Sequence, residues 1–124
     1  MYRTLLVALG GSVGSVARYW LAGWSQSVIG TPLPGGTLLV NVIGSFILGL
    51  LMTLSLERGT IGAEVRILLG AGFCGGFTTM STFSYETIAL AQQGSIATAV
   101  AYIGGTLITC IGAAWLGVIA GRML

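Results

Sequence analysis

The sequence is most informative at residues 70–84, which read Gly70-Ala71-Gly72-Phe73-Cys74-Gly75-Gly76-Phe77-Thr78-Thr79-Met80-Ser81-Thr82-Phe83-Ser84. Four glycines precede five hydroxyl residues, which are Thr78, Thr79, Ser81, Thr82 and Ser84. Glycine is a poor helix former, and the β-branched threonines are restricted at χ1. The stretch therefore predicts an interrupted helix, with a close-packed, glycine-rich helix as the alternative.

The composition around this stretch is that of an integral membrane protein. Of the 124 residues, 55% are hydrophobic and 6% are charged, whereas soluble proteins carry about 25% charged residues. There is no His for a zinc site or a catalytic triad, and there is no basic stripe for nucleic acid. Both cysteines lie in apolar runs, so we expect no disulfide. We also expect no enzyme activity and no nucleic-acid partner.

Four apolar segments are long enough to cross a bilayer, which takes about 20 residues each. The predicted spans are residues 4–24, 37–56, 67–92 and 95–121, within a single domain of residues 1–124. A Gly/Pro-rich turn at residues 30–36 follows the first span. A polar loop between the second and third spans holds Glu57, Arg58, Glu64 and Arg66. The first span resembles a signal peptide but lacks a cleavage site, so we interpret it as retained.

A helix break within a membrane needs protein or a water-lined cavity to satisfy its free backbone groups. Free carbonyls at such a break can bind a cation, and the N-terminus of a half-helix favours an anion. Asn41 adds a polar amide to an apolar span, where it either joins helices or lines a polar path. Arg18 and Glu86 are either functional residues or side chains that extend to the interface. This pattern favours an ion or solute site.

Small residues recur at four-residue steps, which is typical of membrane helices in close contact. Two such pairs are Gly10 with Gly14 and Ser45 with Gly49. The fourth span carries a longer stripe, made of Ala101, Gly105, Thr109, Ala113, Gly117 and Gly121. We interpret this stripe as a packing surface. The neighbouring stripe of Tyr102, Thr106 and Cys110 either bonds its own helix or faces a polar path.

The arginines indicate an orientation. With four spans, one side of the membrane receives Arg3, Arg58, Arg66 and Arg122, and Arg18 lies toward the other side. The positive-inside rule then favours cytoplasmic termini by four arginines to one. Two of the four arginines lie close to a glutamate, and with so few charges this bias can be overridden.

Three motifs resemble the Fluc/CrcB family of fluoride channels. Residues 72–83 look like the third-span signature of that family. Residues 10–19, Gly10-Gly11-Ser12-Val13-Gly14-Ser15-Val16-Ala17-Arg18-Tyr19, resemble its first-span motif. Asn41, within Val40-Asn41-Val42-Ile43-Gly44-Ser45-Phe46, matches its second-span asparagine. The motifs come in the expected order and cover essentially the whole chain.

The resemblance implies an all-α membrane protein with four transmembrane helices, the third of them broken near mid-membrane. It also implies an antiparallel, dual-topology homodimer in the bacterial inner membrane, with two pores that let cytoplasmic fluoride leave passively. Backbone carbonyls of Gly75 and Thr78 from both subunits would hold a central, structural Na⁺. The implied pore residues are Asn41, Met80, Ser81, Thr82, Phe83, Tyr102 and Thr106. The implied vestibule or gate residues are Arg18 and Glu86.

Met80 departs from the family pattern, which has Phe at this position. A phenyl ring presents a positively polarised edge to an anion, whereas a thioether can only fill the space. We therefore predict that the fold is retained and that fluoride conduction is reduced or altered. Cys110 likewise stands where a hydroxyl residue is expected.

Two other functions are open from the sequence. A small proton-coupled multidrug exporter needs an acidic residue in the first span, which holds only Arg18, so Glu86 would have to act instead. A non-transporting membrane scaffold would explain the small-residue stripes but not Asn41. A fluoride path suits the neutral hydrogen-bond donors of the chain. Since no Walker motif is present, passive flow is the simplest mechanism.

Overall fold

The computed structural model describes residues 1–30 and 33–124, and every regular element in this part of the chain is helical. The α-helices are α1 (Tyr2–Ile29), α2 (Gly35–Met52), α3 (Ala63–Arg66), α4 (Gly75–Phe77), α5 (Met80–Gln92) and α6 (Ile96–Met123). Two π-helical segments continue these helices: Thr53–Glu57 follows α2, and Ile67–Cys74 joins α3 to α4. The predicted turn at residues 30–36 includes residues 31 and 32, which lie outside the described residues.

Three helices in the described ranges are long and apolar enough to cross a membrane, namely Tyr2–Ile29, Gly35–Glu57 and Ile96–Met123. The predicted third span, residues 67–92, is not one of them. It is divided between the helix that ends at Phe77 and α5, so neither piece reaches the length of a full span.

The polar loop between the second and third predicted spans is shorter than expected. Glu57 ends the first π-helical segment, and Glu64 and Arg66 belong to α3. The helix therefore begins at Ala63 rather than at residue 67. The acidic Glu64 in its first turn suits the helix dipole.

Both ends of the chain contact this loop. The Arg122 guanidinium makes two hydrogen bonds to the Glu57 carboxylate, at 2.9 and 3.0 Å. Arg58 Nη1 donates to the Arg122 carbonyl at 3.1 Å. Near the N-terminus, the Tyr2 hydroxyl donates to Glu64 Oε1 at 2.7 Å. These contacts gather both termini and the loop at one end of the molecule.

Glycines let α1 lie directly against the second π-helical segment and α4. A Cβ added to Gly10 would collide with the Leu68 carbonyl, and one added to Gly14 would collide with the Phe73 carbonyl. The predicted pairing of Gly10 and Gly14 at a helix contact is therefore confirmed. Gly49 is equally tight against the Ala114 backbone, where α2 meets α6.

The stripe of small residues on α6 packs within the chain along only half of its length. Gly117 and Gly121 lie against α2 and its π-helical extension, and Ala113 is buried. Ala101 and Thr109 are exposed, and a Cβ at Gly105 would meet no atom within 4 Å. The prediction that the stripe is a packing surface is confirmed for Ala113, Gly117 and Gly121. For the other half it stays a prediction, because helical periodicity defines a face but not what covers it.

Candidate ion-conduction site

The site is built around the helix break between Phe77 and Met80. Thr78 (φ −90°, ψ 160°) and Thr79 (φ −151°, ψ 117°) have extended backbones. The predicted interruption is therefore present, and it lies at the threonine pair rather than at the glycines. β-Branched residues tolerate an extended backbone well. The glycines before them remain helical, and Gly72 and Gly76 lie against α1.

Asn41, on α2, binds both backbone polar groups of Thr79. Its Nδ2 donates to the Thr79 carbonyl at 3.0 Å, and its Oδ1 accepts the Thr79 N–H at 2.8 Å. The side-chain amide thus replaces the backbone partners that Thr79 loses on leaving the helix. Since an amide nitrogen carries two hydrogens, one of them is left for another acceptor.

The Thr79 side chain caps α5. Its Oγ1 accepts the Thr82 N–H at 3.2 Å and donates to the Thr82 hydroxyl at 3.1 Å. The Ser81 hydroxyl lies 3.3 Å from the same oxygen. Three hydroxyl groups are therefore gathered at a helix N-terminus, which carries partial positive charge and favours anions.

The break removes the usual helical donors of the Gly75 and Thr78 carbonyls. In a continuous helix the N–H four residues later would bond each of them. Here the Thr79 N–H donates to Asn41, and the Thr82 N–H donates to the Thr79 side chain. Neutral carbonyl oxygens are among the ligands that a hard cation prefers. Among the described residues, no group of three or more His, Cys, Asp or Glu side chains forms a metal site.

A cavity of about 330 Å³ lies beside the break. It is lined by residues of α2, of α6 and of the broken segment, which is the stretch of residues 63–92 from α3 to α5. The predicted site residues in its lining are Asn41, Gly75, Thr78, Met80, Phe83 and Thr106. Within the described residues, no Asp, Glu or Arg lines it. Its polar character therefore comes from the Asn41 amide and from hydroxyl groups, set among apolar side chains.

Met80 and Phe83 differ in their surroundings although both line this cavity. Met80, the first residue of α5, is 68% exposed in the chain. Phe83 is buried, and its ring contacts the Tyr102 ring with centroids 5.1 Å apart and planes tilted by 50°. The Met80 side chain is thus free to change without disturbing the core, whereas Phe83 is part of it.

Thr106 lines both the first cavity and a second one of about 170 Å³. Tyr102 lines only the second cavity. The Thr106 side chain is buried, and its hydroxyl has no hydrogen-bond partner among the described residues. An unpaired buried hydroxyl is costly, so this group is suited to a water molecule or an anion in either cavity.

Glu86 lines neither cavity, but it accepts a hydrogen bond from Tyr102, which lines the second one. The Thr37 hydroxyl donates to Glu86 Oε1, and the Tyr102 hydroxyl donates to Glu86 Oε2 at 3.2 Å. Arg18 also lines neither cavity. It is half-buried, and no hydrogen bond or ion pair joins it to another residue of the described ranges.

The structure thus brings six of the predicted site residues to one cavity and leaves the others outside its lining. Ser81 and Thr82 lie in the first turn of α5, outside both linings. Two partners were not predicted from the sequence: Thr37, which bonds Glu86, and Thr79, which bonds Asn41. These pairs are 49 and 38 residues apart, so no local pattern could have found them.

Comparison with known proteins identifies the family. A family profile described as "CrcB-like protein, Camphor Resistance (CrcB)" matches residues 5–118. A protein of Anaeromyxobacter dehalogenans is 48% identical over 124 residues, covering 100% of this chain and 98% of that protein. A protein of Geobacter metallireducens is 44% identical over 124 residues, covering both chains completely at 100%.

A protein of Thermus thermophilus is 48% identical over 122 residues, covering 98% of this chain and 95% of its own length. Each of these three relatives is named "Fluoride-specific ion channel FluC". The profile match and the identities both extend over nearly the whole chain, including the break and Asn41. The chain therefore belongs to the CrcB family.

Proposed function

We propose that this protein is a passive, fluoride-selective ion channel of the bacterial inner membrane, through which cytoplasmic fluoride leaves the cell. The names of its relatives support this function. The observation that carries it is the cavity beside the helix break, where neutral donors converge without a formal charge. Fluoride is small and strongly hydrated, so a pore must replace its water with donors that bind it only weakly.

Three kinds of donor serve this purpose in the proposed path. Asn41 has a spare Nδ2–H, although its other donor and its acceptor are used by Thr79. Thr106 offers a buried hydroxyl without a partner in the described part of the chain. The Ser81 and Thr82 hydroxyls lie at the positive end of α5. Phe83 contributes the positively polarised edge of its ring.

A structural Na⁺ would be held by the carbonyls of Gly75 and Thr78. Their usual helical donors are engaged elsewhere, which supports this role. The cation would add positive potential next to an anion path without a mobile basic side chain. Two carbonyls are too few to coordinate a cation by themselves, so the other ligands would come from a second copy of the chain.

The proposed assembly is a dual-topology homodimer of four-span subunits with two pores. The third span would be formed by residues 67–92 of the broken segment. Two features support a second copy: the exposed half-stripe on α6 and the need for further ligands to Na⁺. The few arginines leave both orientations accessible.

The proposal is tested by anion efflux from liposomes that contain the purified protein. A fluoride electrode follows release of internal KF after valinomycin is added, and parallel liposomes contain KCl. We expect rapid loss of fluoride and retention of chloride. Equal loss of both anions would show that the protein does not select fluoride over chloride. Retention of both anions in liposomes that contain folded protein would exclude a channel. Fluoride release that requires an opposing proton gradient would instead favour a coupled exporter.

A further inference from the structure

Three sulfur atoms belong to residues that line the cavity beside the helix break. Cys74 is the last residue of the second π-helical segment, Met80 is the first residue of α5, and Cys110 lies on α6. All three line the same space of about 330 Å³. Both cysteines are free thiols. The chain has two Cys and four Met, so both of its cysteines and one of its methionines line this cavity.

We infer that this cavity is a binding site for a soft, monovalent metal cation such as silver(I) or copper(I), and that the bound metal blocks the fluoride path. Thiolate and thioether sulfur are the ligands that select such cations, whereas hard cations prefer oxygen. The inference rests on the proposed function for the block, but the metal site itself does not depend on it.

The chemistry of the cavity suits a neutral complex. One cysteine thiol transfers its proton to water as its sulfur bonds the metal, so the cation and the thiolate cancel in charge. The second thiol and the Met80 thioether then act as neutral donors. A neutral complex avoids the cost of placing a charge among apolar side chains, which a hydrated metal cation would incur.

The effect of the metal on conduction depends on how it reaches the cavity and on where in the cavity it is held. Cys110 is half-buried and Met80 is exposed, so a cation reaching the cavity meets them first. Cys74 is only 2% exposed, so it would hold the metal at the inner wall of the cavity. A metal held there occupies the space beside Asn41 and Thr106, which are the donors of the proposed path.

The first experiment measures binding of Ag⁺ to the purified protein, by equilibrium dialysis in chloride-free buffer and metal analysis. We expect one tightly held Ag⁺ per chain, and we expect its loss in both Cys74→Ser and Cys110→Ser. Met80→Leu should weaken binding, and Met52→Leu should leave it unchanged because Met52 lies outside the cavity. Retention of Ag⁺ by each single Ser variant would show two independent thiols and would overturn the shared site.

The second experiment follows fluoride efflux from liposomes in fluoride and gluconate salts, with and without Ag⁺. We expect Ag⁺ to stop efflux in the natural chain and dithiothreitol to restore it, while added Na⁺ has no such effect. For each Ser variant, the rate of efflux is measured with and without Ag⁺. We expect Ag⁺ not to change that rate. Unaltered block in both variants would overturn the inference. If the natural chain carries no fluoride, the binding measurement still decides the metal site separately.

Discussion

Asn41 combines two roles that the sequence left as alternatives. Its amide binds both backbone groups of Thr79, so it joins α2 to the broken segment. It also lines the cavity through which we propose that the ion path runs. The residue type and its apolar surroundings were enough to predict a constrained polar group. Its partner could not be predicted, because Thr79 becomes a free donor and acceptor only through the break.

Replacing Asn41 should damage both stability and conduction. Asn41→Ala leaves the Thr79 N–H and carbonyl without these partners, at a cost of about 1–3 kcal/mol. We expect a lower unfolding temperature in detergent and loss of fluoride efflux. Gln92→Ala, which removes an exposed amide at the end of α5, serves as the control. Full stability of Asn41→Ala would contradict the role of Asn41 at the break.

Met80→Phe should raise fluoride efflux without changing stability. Met80 is 68% exposed, so a ring can be accommodated at this position, and its polarised edge offers the anion a favourable contact. The measurement is the initial rate of fluoride release from liposomes with equal amounts of protein. Met52→Phe, at an exposed methionine away from the cavity, should leave the rate unchanged. Equal rates for the natural chain and the Met80→Phe variant would show that no ring edge is required.

At the scale of the helices, the threonine pair and the glycines have separate functions. The sequence predicted a break somewhere within residues 70–84, and the structure places it at Thr78 and Thr79. The glycines were counted toward the break but lie in helical turns, where Gly72 and Gly76 permit contact with α1. Propensity alone could not separate these roles, because glycine weakens an isolated helix and also favours close helix packing.

Some glycines on α1 lie in close contact with another helix and others do not, and the two kinds give a matched test of this packing. Gly10→Ala places a methyl group against the Leu68 carbonyl, and such overpacking costs about 1–3 kcal/mol. Gly23→Ala, on the same helix, meets no atom within 4 Å. We expect thermal unfolding in detergent to shift downward for Gly10→Ala only. Equal shifts for both variants would mean that the contact between α1 and the broken segment is not tight.

At the scale of the whole molecule, both termini and the loop between α2 and α3 lie at one end. Arg122, Glu57 and Arg58 join α6 to this loop, and Tyr2 with Glu64 joins α1 to α3. The sequence predicted that these charges share a side of the membrane, since an even number of spans returns the chain to its starting side. The individual pairs could not be predicted, because they join residues more than 60 positions apart.

The contact between Tyr2 and Glu64 should depend on pH. The hydrogen bond from the Tyr2 hydroxyl holds the pKa of Glu64 below its ordinary value of 4.5. Because the folded pKa is the lower one, this contact adds stability above the unfolded pKa and loses it as pH falls through the folded pKa. Tyr2→Phe should therefore raise the Glu64 pKa, as followed by carboxyl carbon NMR in micelles, whereas Tyr19→Phe should not. An unchanged titration in Tyr2→Phe would show that the contact is absent in solution.

The proposed dual topology predicts that each terminus is found on both faces of the membrane. In a background of Cys74→Ser and Cys110→Ser, Leu124→Cys provides a single thiol at the C-terminus. We expect an impermeant maleimide to label about half of the chains in sealed vesicles and the rest after permeabilisation. Labelling of all chains or none before permeabilisation would indicate a single orientation and exclude an antiparallel dimer.

The most direct test of fluoride conduction is the reversal potential of the current through the protein in a planar bilayer. With a tenfold fluoride gradient and equal chloride on both sides, a passive fluoride channel reverses at the fluoride equilibrium potential, about 59 mV from zero. We expect this value, unaltered when a proton gradient is imposed. Reversal near zero would show that fluoride is not the selected ion, and a shift with the proton gradient would show coupled transport instead of a channel.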